Sequence, residues 1–262
     1  MTHPFRNRLI LLACLLFGSL GIHAGTLPVE LFFKNYEFSS VTLSPDGKHL
    51  AAIAPVGERR NLVVVNRATN KSKAVTTLTK QDVAAYQWAS DSRLVFYLEE
   101  DGNESYELNA VNIDGSKPRQ LAKASKGITL IPRVTRMIDR LKDDDQHILV
   151  SNNKRRAEFP DIYEMDIYSG RKKRLTSNPG NITGWGTDHD GKIRVAMSQE
   201  VSKDGKDITY GLLYRADEGA EWEKVEQGRL GEEPISFAGF ASDNRTMYLL
   251  SARGRDKAAL YT

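Results

Sequence analysis

The sequence predicts an all-β protein, an incomplete β-propeller of four four-stranded blades and part of a fifth, preceded by a signal peptide. Three observations carry that expectation. A strand-turn-strand signature recurs five times, first as Val41-Thr42-Leu43-Ser44-Pro45-Asp46-Gly47-Lys48-His49-Leu50-Ala51-Ala52-Ile53. A second apolar strand follows each copy, ending at Asn66, Asn112, Asp166, Arg215 and Thr262, with steps of 46, 54, 49 and 47 residues. Proline and glycine fall between the strands, at Pro45, Gly47, Gly115, Pro118, Gly170, Pro179, Gly180 and Gly191, where they disturb a ladder least. Four short strands in a unit of nearly 50 residues match a propeller blade. A β-sandwich would not repeat one signature five times.

The elements follow in chain order. Arg6 and Arg8 precede the apolar run Leu9 to Ile22, and Ile22-His23-Ala24 presents a small residue for cleavage, so residues 1–24 read as a secretory signal peptide. The run is 14 residues long, short of the roughly 20 that span a bilayer. An uncleaved anchor and a lipoprotein box at Leu11-Leu12-Ala13-Cys14 are the alternatives. The mature chain, 25–262, is then exported, periplasmic or secreted. Helix is expected only at Val29 to Lys34 and Val134 to Leu141.

The hairpin signature returns at Tyr86 to Phe96, Asp144 to Val150, Asp188 to Val195 and Phe240 to Leu249. Each turn is built on a residue pair suited to tight reversal: Asp46-Gly47, Asp91-Ser92, Asp190-Gly191 and Asp243-Asn244. Third strands are Leu62 to Asn66, Leu108 to Asn112, Ile162 to Asp166, Leu212 to Arg215 and Leu260 to Thr262. Fourth strands are expected at Ala74 to Leu78, Arg119 to Ala122 and Lys173 to Thr176. The fifth unit stops on its third strand, so the sequence reads as the front part of a longer protein, cut before the ring closes.

Charge favours neither a nucleic-acid nor a membrane partner. The net charge is +3, and without Arg6 and Arg8 the remaining 35 basic residues face 34 acidic ones. Cys14 is the sole cysteine, which excludes an intrachain disulfide and a cysteine metal cage.

The search for chemistry yields no catalytic, cofactor-binding or metal residue. No serine is flanked by glycine on both sides, as a nucleophile elbow needs. His49, His147 and His189 fall on blade turns or strand starts. Gly186 to Lys192 fits Gly-x4-Gly-Lys, but Ile193 stands where a P-loop needs Ser or Thr, and Asp188 and Asp190 would repel phosphate. Asp143-Asp144-Asp145 lacks the spacing of a calcium loop. Lys154-Arg155-Arg156 and Arg171-Lys172-Lys173-Arg174 read as exposed turns. Trp88, Trp185 and Trp222 read as packing between blades.

Phe32-Phe33-Lys34 with Phe38 to Lys48, Phe159 to Tyr163, Ile182 to Gly191, and Arg253 to Tyr261 together resemble the propeller of bacterial S9 (prolyl oligopeptidase family) serine peptidases, of the dipeptidyl aminopeptidase or acylaminoacyl peptidase type. The likeness covers residues 27–262. It implies a propeller that gates short peptides to a C-terminal α/β-hydrolase domain carrying Ser, Asp and His, which this chain lacks. The expected function is thus a non-catalytic substrate-gating segment, inactive alone, with short peptides reached through the missing domain, no nucleic acid, and no membrane after signal cleavage. The alternative is a non-enzymatic TolB-like periplasmic propeller acting by protein contacts.

Overall fold

The computed structural model describes residues 37–99, 106–123, 131–232 and 235–262. The expected signal peptide and the helix at Val29 to Lys34 lie outside them. The described residues form five antiparallel sheets, each meandering in chain order. The first blade comprises β1 (Ser39–Leu43), β2 (His49–Val56), β3 (Arg59–Asn66) and β4 (Lys71–Ala74); the second comprises β5 (Val83–Ser90), β6 (Arg93–Glu99), β7 (Tyr106–Asn112) and β8 (Arg119–Ala122). The third is β9 (Thr135–Asp139), β10 (His147–Asn152), β11 (Asp161–Asp166) and β12 (Lys172–Thr176), and the fourth is β13 (Ile182–Thr187), β14 (Ile193–Val201), β15 (Ile208–Tyr214) and β16 (Glu223–Arg229). A three-stranded sheet follows, of β17 (Ser236–Phe240), β18 (Met247–Ser251) and β19 (Ala259–Tyr261).

The repeated signature is a hydrogen-bonded turn between the first two strands of a blade. Asp46 Oδ1 accepts the Lys48 amide at 3.0 Å, Asp144 Oδ1 accepts those of Gln146 and His147, Asp188 Oδ1 those of Asp190 and Lys192, and Asp243 Oδ1 those of Arg245 and Thr246. An aspartate that satisfies amides two to four residues on makes reversal cheap. Gly47 and Gly191 supply the left-handed conformation the turn requires, at φ 72° and 73°.

The core lies between the sheets. Ile53, Leu62 and Val64 of the first blade meet Trp88, Leu94 and Phe96 of the second. Val95, Leu108 and Ala110 meet Ile148, Val150 and Met165; Leu149 and Ile162 meet Trp185 and Ala196; Val195 and Leu212 meet Phe240. Strands buried on both faces read as near-continuous apolar runs, which is why Leu62-Val63-Val64 and Ile148-Leu149-Val150 are legible. Pairing of innermost with second strands is bulged in every blade, as at Ser39/Thr42, Val83/Ala85, Leu149/Val150, Ile182/Gly184 and Phe237/Gly239. A bulge raises local twist, which blades converging on an axis demand.

Two expectations are corrected. Residues 134–141 do not form a helix: Thr135 and Met137 are buried while Arg136 is exposed, a period of two, and the segment pairs with β10 as the innermost strand of its blade. The fourth strand of the first blade is Lys71–Ala74, ahead of the expected Ala74 to Leu78. Thr76 and Leu78 are drawn instead onto Asn61, whose Oδ1 accepts the Thr76 hydroxyl at 2.8 Å and the Leu78 amide at 2.7 Å.

Candidate functional site

Among the described residues, three clefts follow one another where the chain crosses into the innermost strands of the third, fourth and fifth blades. The first, about 400 Å³, lies between the second and third blades, against Ala85, Gln87, Tyr97, Tyr106 and Arg136. The second, about 530 Å³, lies between the third and fourth, against Tyr106, Pro132, Arg136, Ser151, Glu158 and Thr183. The third, about 210 Å³, lies between the fourth and fifth, against Thr183, Ser198, Tyr210, Glu226, Glu232 and Arg253. Tyr106, Val134 and Arg136 line both of the first two, and Thr183 lines the second and third. The clefts therefore form one run around the starts of β9 and β13. The aspartate turns sit at the opposite ends of the same strands.

Buried polar groups fix the walls. Asn153, 6% exposed, donates through Nδ2 to the carbonyls of Pro132 (2.9 Å) and Ala157 (2.8 Å) and accepts the Val134 amide at 2.7 Å, tying the entry to β9 onto the loop before β11. Asp161, wholly buried, accepts Arg155 Nε and Nη2 at 2.8 and 2.6 Å and the Asn178 amide at 2.7 Å. The Arg155 side chain, then burial in opposition, then the Asn178 amide, leave the Asp161 carboxyl below its usual range. Asn178 in turn holds the Pro160 and Ile182 carbonyls, and Trp185 Nε1 donates to Pro160 at 2.9 Å. Tyr97 accepts the Met137 amide at 2.9 Å, and burial pushes its phenol up.

The clefts offer fixed carbonyls and hydroxyls together with cations and carboxylates. Arg136 is exposed and, among the described residues, unpaired; Glu158 is exposed in the same cleft. Glu226 pairs with Arg253 at 2.7 Å, which holds its carboxyl down, and Glu232 accepts the Arg229 amide at 2.8 Å. Such a lining presents hydrogen-bond acceptors and donors beside charges of both signs.

The residues weighed from sequence lie elsewhere. His49 accepts from Asn66 Nδ2 at 3.3 Å, His147 meets Asp144 at 2.9 Å and His189 donates to the Phe240 carbonyl at 2.9 Å, all on the turn face. In the Gly186 to Lys192 segment, Asp188 is 5% exposed and pairs with Arg194 at 3.0 Å, so a carboxylate fills the space a phosphate would need. Trp88 packs between the first two blades, and Trp185 lies 6.1 Å from Trp222 beside the third-to-fourth core. Of the basic clusters, Arg155 is no free turn residue but the partner of Asp161. The sequence reading did not single out Arg136, Glu158, Asn153 or Asp161 as site residues; the polar Asp161 opening an apolar strand was the one visible signal.

No protein-family model matches the sequence. Dipeptidyl aminopeptidase BIII of Pseudoxanthomonas mexicana is 31% identical over 237 residues, 88% of this chain and 32% of that protein. Dipeptidyl peptidase family member 6 of Caenorhabditis elegans is 25% identical over 242 residues, again 88% of the chain and 32% of the relative. The chain thus spans about a third of the length of these relatives. Among solved structures, a prolyl endopeptidase superposes with a TM-score of 0.55 at 9% identity, over 86% of this chain and 34% of that one, a likeness of fold.

Proposed function

Taking as premise that the chain belongs, as a β-propeller portion, to the S9 (prolyl oligopeptidase) family of serine peptidases, we propose that it is the non-catalytic propeller that filters short peptides toward a hydrolase domain. The run of clefts along one face carries this reading. Peptide termini would meet Arg136 and Glu158 there, while fixed carbonyls beside them accept the peptide amides. Specificity of this kind comes from buried donors and acceptors that a wrong ligand leaves unpaired.

The test joins residues 1–262 to the α/β-hydrolase portion of a dipeptidyl aminopeptidase. The 262-residue chain alone should leave a dipeptidyl p-nitroanilide uncut. The fusion should cut it, and should cut a peptide of thirty residues far more slowly. Equal rates on both would remove the filtering role, and cleavage by the chain alone would remove the non-catalytic one. Arg136→Ala in the fusion should raise KM for free dipeptidyl substrates with kcat retained.

A further inference from the structure

We infer that the outer wall of the second and third blades is a docking surface for an anionic phospholipid bilayer. The outermost strands β8 and β12 belong to adjacent blades, and Arg119 Nη2 links them by donating to the Ser169 carbonyl at 3.0 Å. Lys117, Arg119, Lys154, Lys172, Lys173 and Arg174 gather on this wall, and all are exposed. Lys117 and Lys172 reach over the rings of Tyr168 and Tyr163, at 5.4 and 4.7 Å to the centroids. Among the described residues none of the six is within ion-pair distance of a carboxylate. Lys48, Lys142, Lys206 and Arg253 on other surfaces all are.

Glu164 lies across the ladder from Lys173, outside ion-pair distance, and two other nearby carboxylates are held by internal partners. Glu107 accepts Gln120 Nε2 at 2.8 Å, and Asp166 accepts Gln146 Nε2 together with the Tyr168 and Ser169 amides, each at 2.8 Å. Arg93 adds a further charge underneath, with its guanidinium 4.3 Å from the Tyr168 ring. Net charge does not register this arrangement, because the acidic residues that balance it, Glu221 and Glu223 among them, lie on other blades.

Apolar groups within the wall select the partner. Tyr168 is 37% exposed and Leu175 43% exposed, both beside the cations. A lipid headgroup layer receives tyrosine rings, lysine stems and an aliphatic side chain together. A nucleic-acid backbone gives Leu175 nothing. Each cation near an anionic leaflet contributes on the order of 1 kcal/mol, about fivefold in partitioning.

Flotation of the full chain with vesicles of phosphatidylcholine, with and without phosphatidylglycerol, tests the inference. Binding should require phosphatidylglycerol and fall as salt rises from about 0.1 M to about 0.5 M. The variant Lys172→Gln/Lys173→Gln/Arg174→Gln should lose on the order of a hundredfold in partitioning, with its circular dichroism unchanged. Glu221→Gln/Glu223→Gln should bind as the native chain does. Should the triple variant misfold, Arg119→Gln/Lys173→Gln replaces it, with a loss of at least roughly tenfold. Equal, salt-insensitive binding to phosphatidylcholine alone would mean that an apolar segment anchors the chain. Displacement from vesicles by an equal phosphate concentration of duplex DNA would make the surface a nucleic-acid one. Either result, or native binding by the triple variant, overturns the proposal.

Discussion

Arg93 places its Nε 3.0 Å and its Nη2 2.9 Å from the single carbonyl of Ile167, so a guanidinium rooted in one blade grips the backbone of the next. Its remaining donors reach Asn112 Oδ1 at 2.6 Å and the Lys117 carbonyl at 3.1 Å, and the side chain is wholly buried. Arg93→Met would keep the stem and strand three acceptors. Urea denaturation should show a loss of about 2–4 kcal/mol. Arg93→Lys should recover little of it, because one ammonium cannot span the fork. A lysine variant as stable as the native chain would show that charge alone suffices.

Acid should loosen the turns. The Asp46 carboxyl is held down to about 2, first by the Lys48 amide and then by the Ser44 hydroxyl. Asp243 is also lowered to about 2, by the Arg245 and Thr246 amides. At Asp166 burial pulls upward, but the Gln146 side chain and the Ser169 and Tyr168 amides outweigh it and leave it near 2. Folded values below the ordinary 3.8 mean stability present above that pH and lost as pH falls through about 2. The thermal midpoint followed by circular dichroism should drop between about pH 4 and pH 2. Replacing all three by Asn keeps an amide acceptor and should flatten that drop.

Two glycines of β13 should respond differently to the same methyl group. A Cβ on Gly186 would sit 2.7 Å from Phe237 Cε1 and 3.2 Å from Val195 Cβ, inside the contact between the fourth and fifth blades. On Gly184 it would meet the terminal Met197 methyl at 2.5 Å. Methionine swings aside and a packed ring does not. Calorimetry should show Gly186→Ala losing about 1–3 kcal/mol and Gly184→Ala less than about 1 kcal/mol.

Asn61, the third residue of β3, and Asp161, the first of β11, each accept a backbone amide 17 residues later, that of Leu78 or Asn178, at 2.7 Å. The pair predicts a graded result. Asp161→Asn keeps the amide acceptor but breaks the forked Arg155 contact, and should lose about 1–3 kcal/mol in urea. Asp161→Ala strands both partners and should lose more.

These anchors mark where sequence reading stopped. Strands and hairpins were legible because Leu62-Val63-Val64 and Ser44-Pro45-Asp46-Gly47 carry local signals, one of burial and one of turn chemistry. Residues 134–141 misled because Val134, Met137, Ile138 and Leu141 also satisfy a helical spacing; pairing across to β10 decides the matter, and that contact is not local. The clefts were illegible for a related reason. Arg136 and Glu158 both belong to the third blade, but one lies on β9 and the other on the loop before β11, so they reach one cleft only once β9, β10 and β11 have paired, and nothing within either segment announces the other.

Each hydrophobic cluster joins two successive sheets, so the natural joint for recombination does not run between blades. A chimera cut in the crossover from β8 to β9 would set Val95 and Leu108 against foreign counterparts of Ile148 and Met165. A cut through the middle of a sheet, between its second and third strands, would divide side chains on both of its faces. The transplantable cassette is therefore a blade accompanied by the inward-facing residues of both neighbours, and grafts that carry the sheet alone should express as insoluble protein.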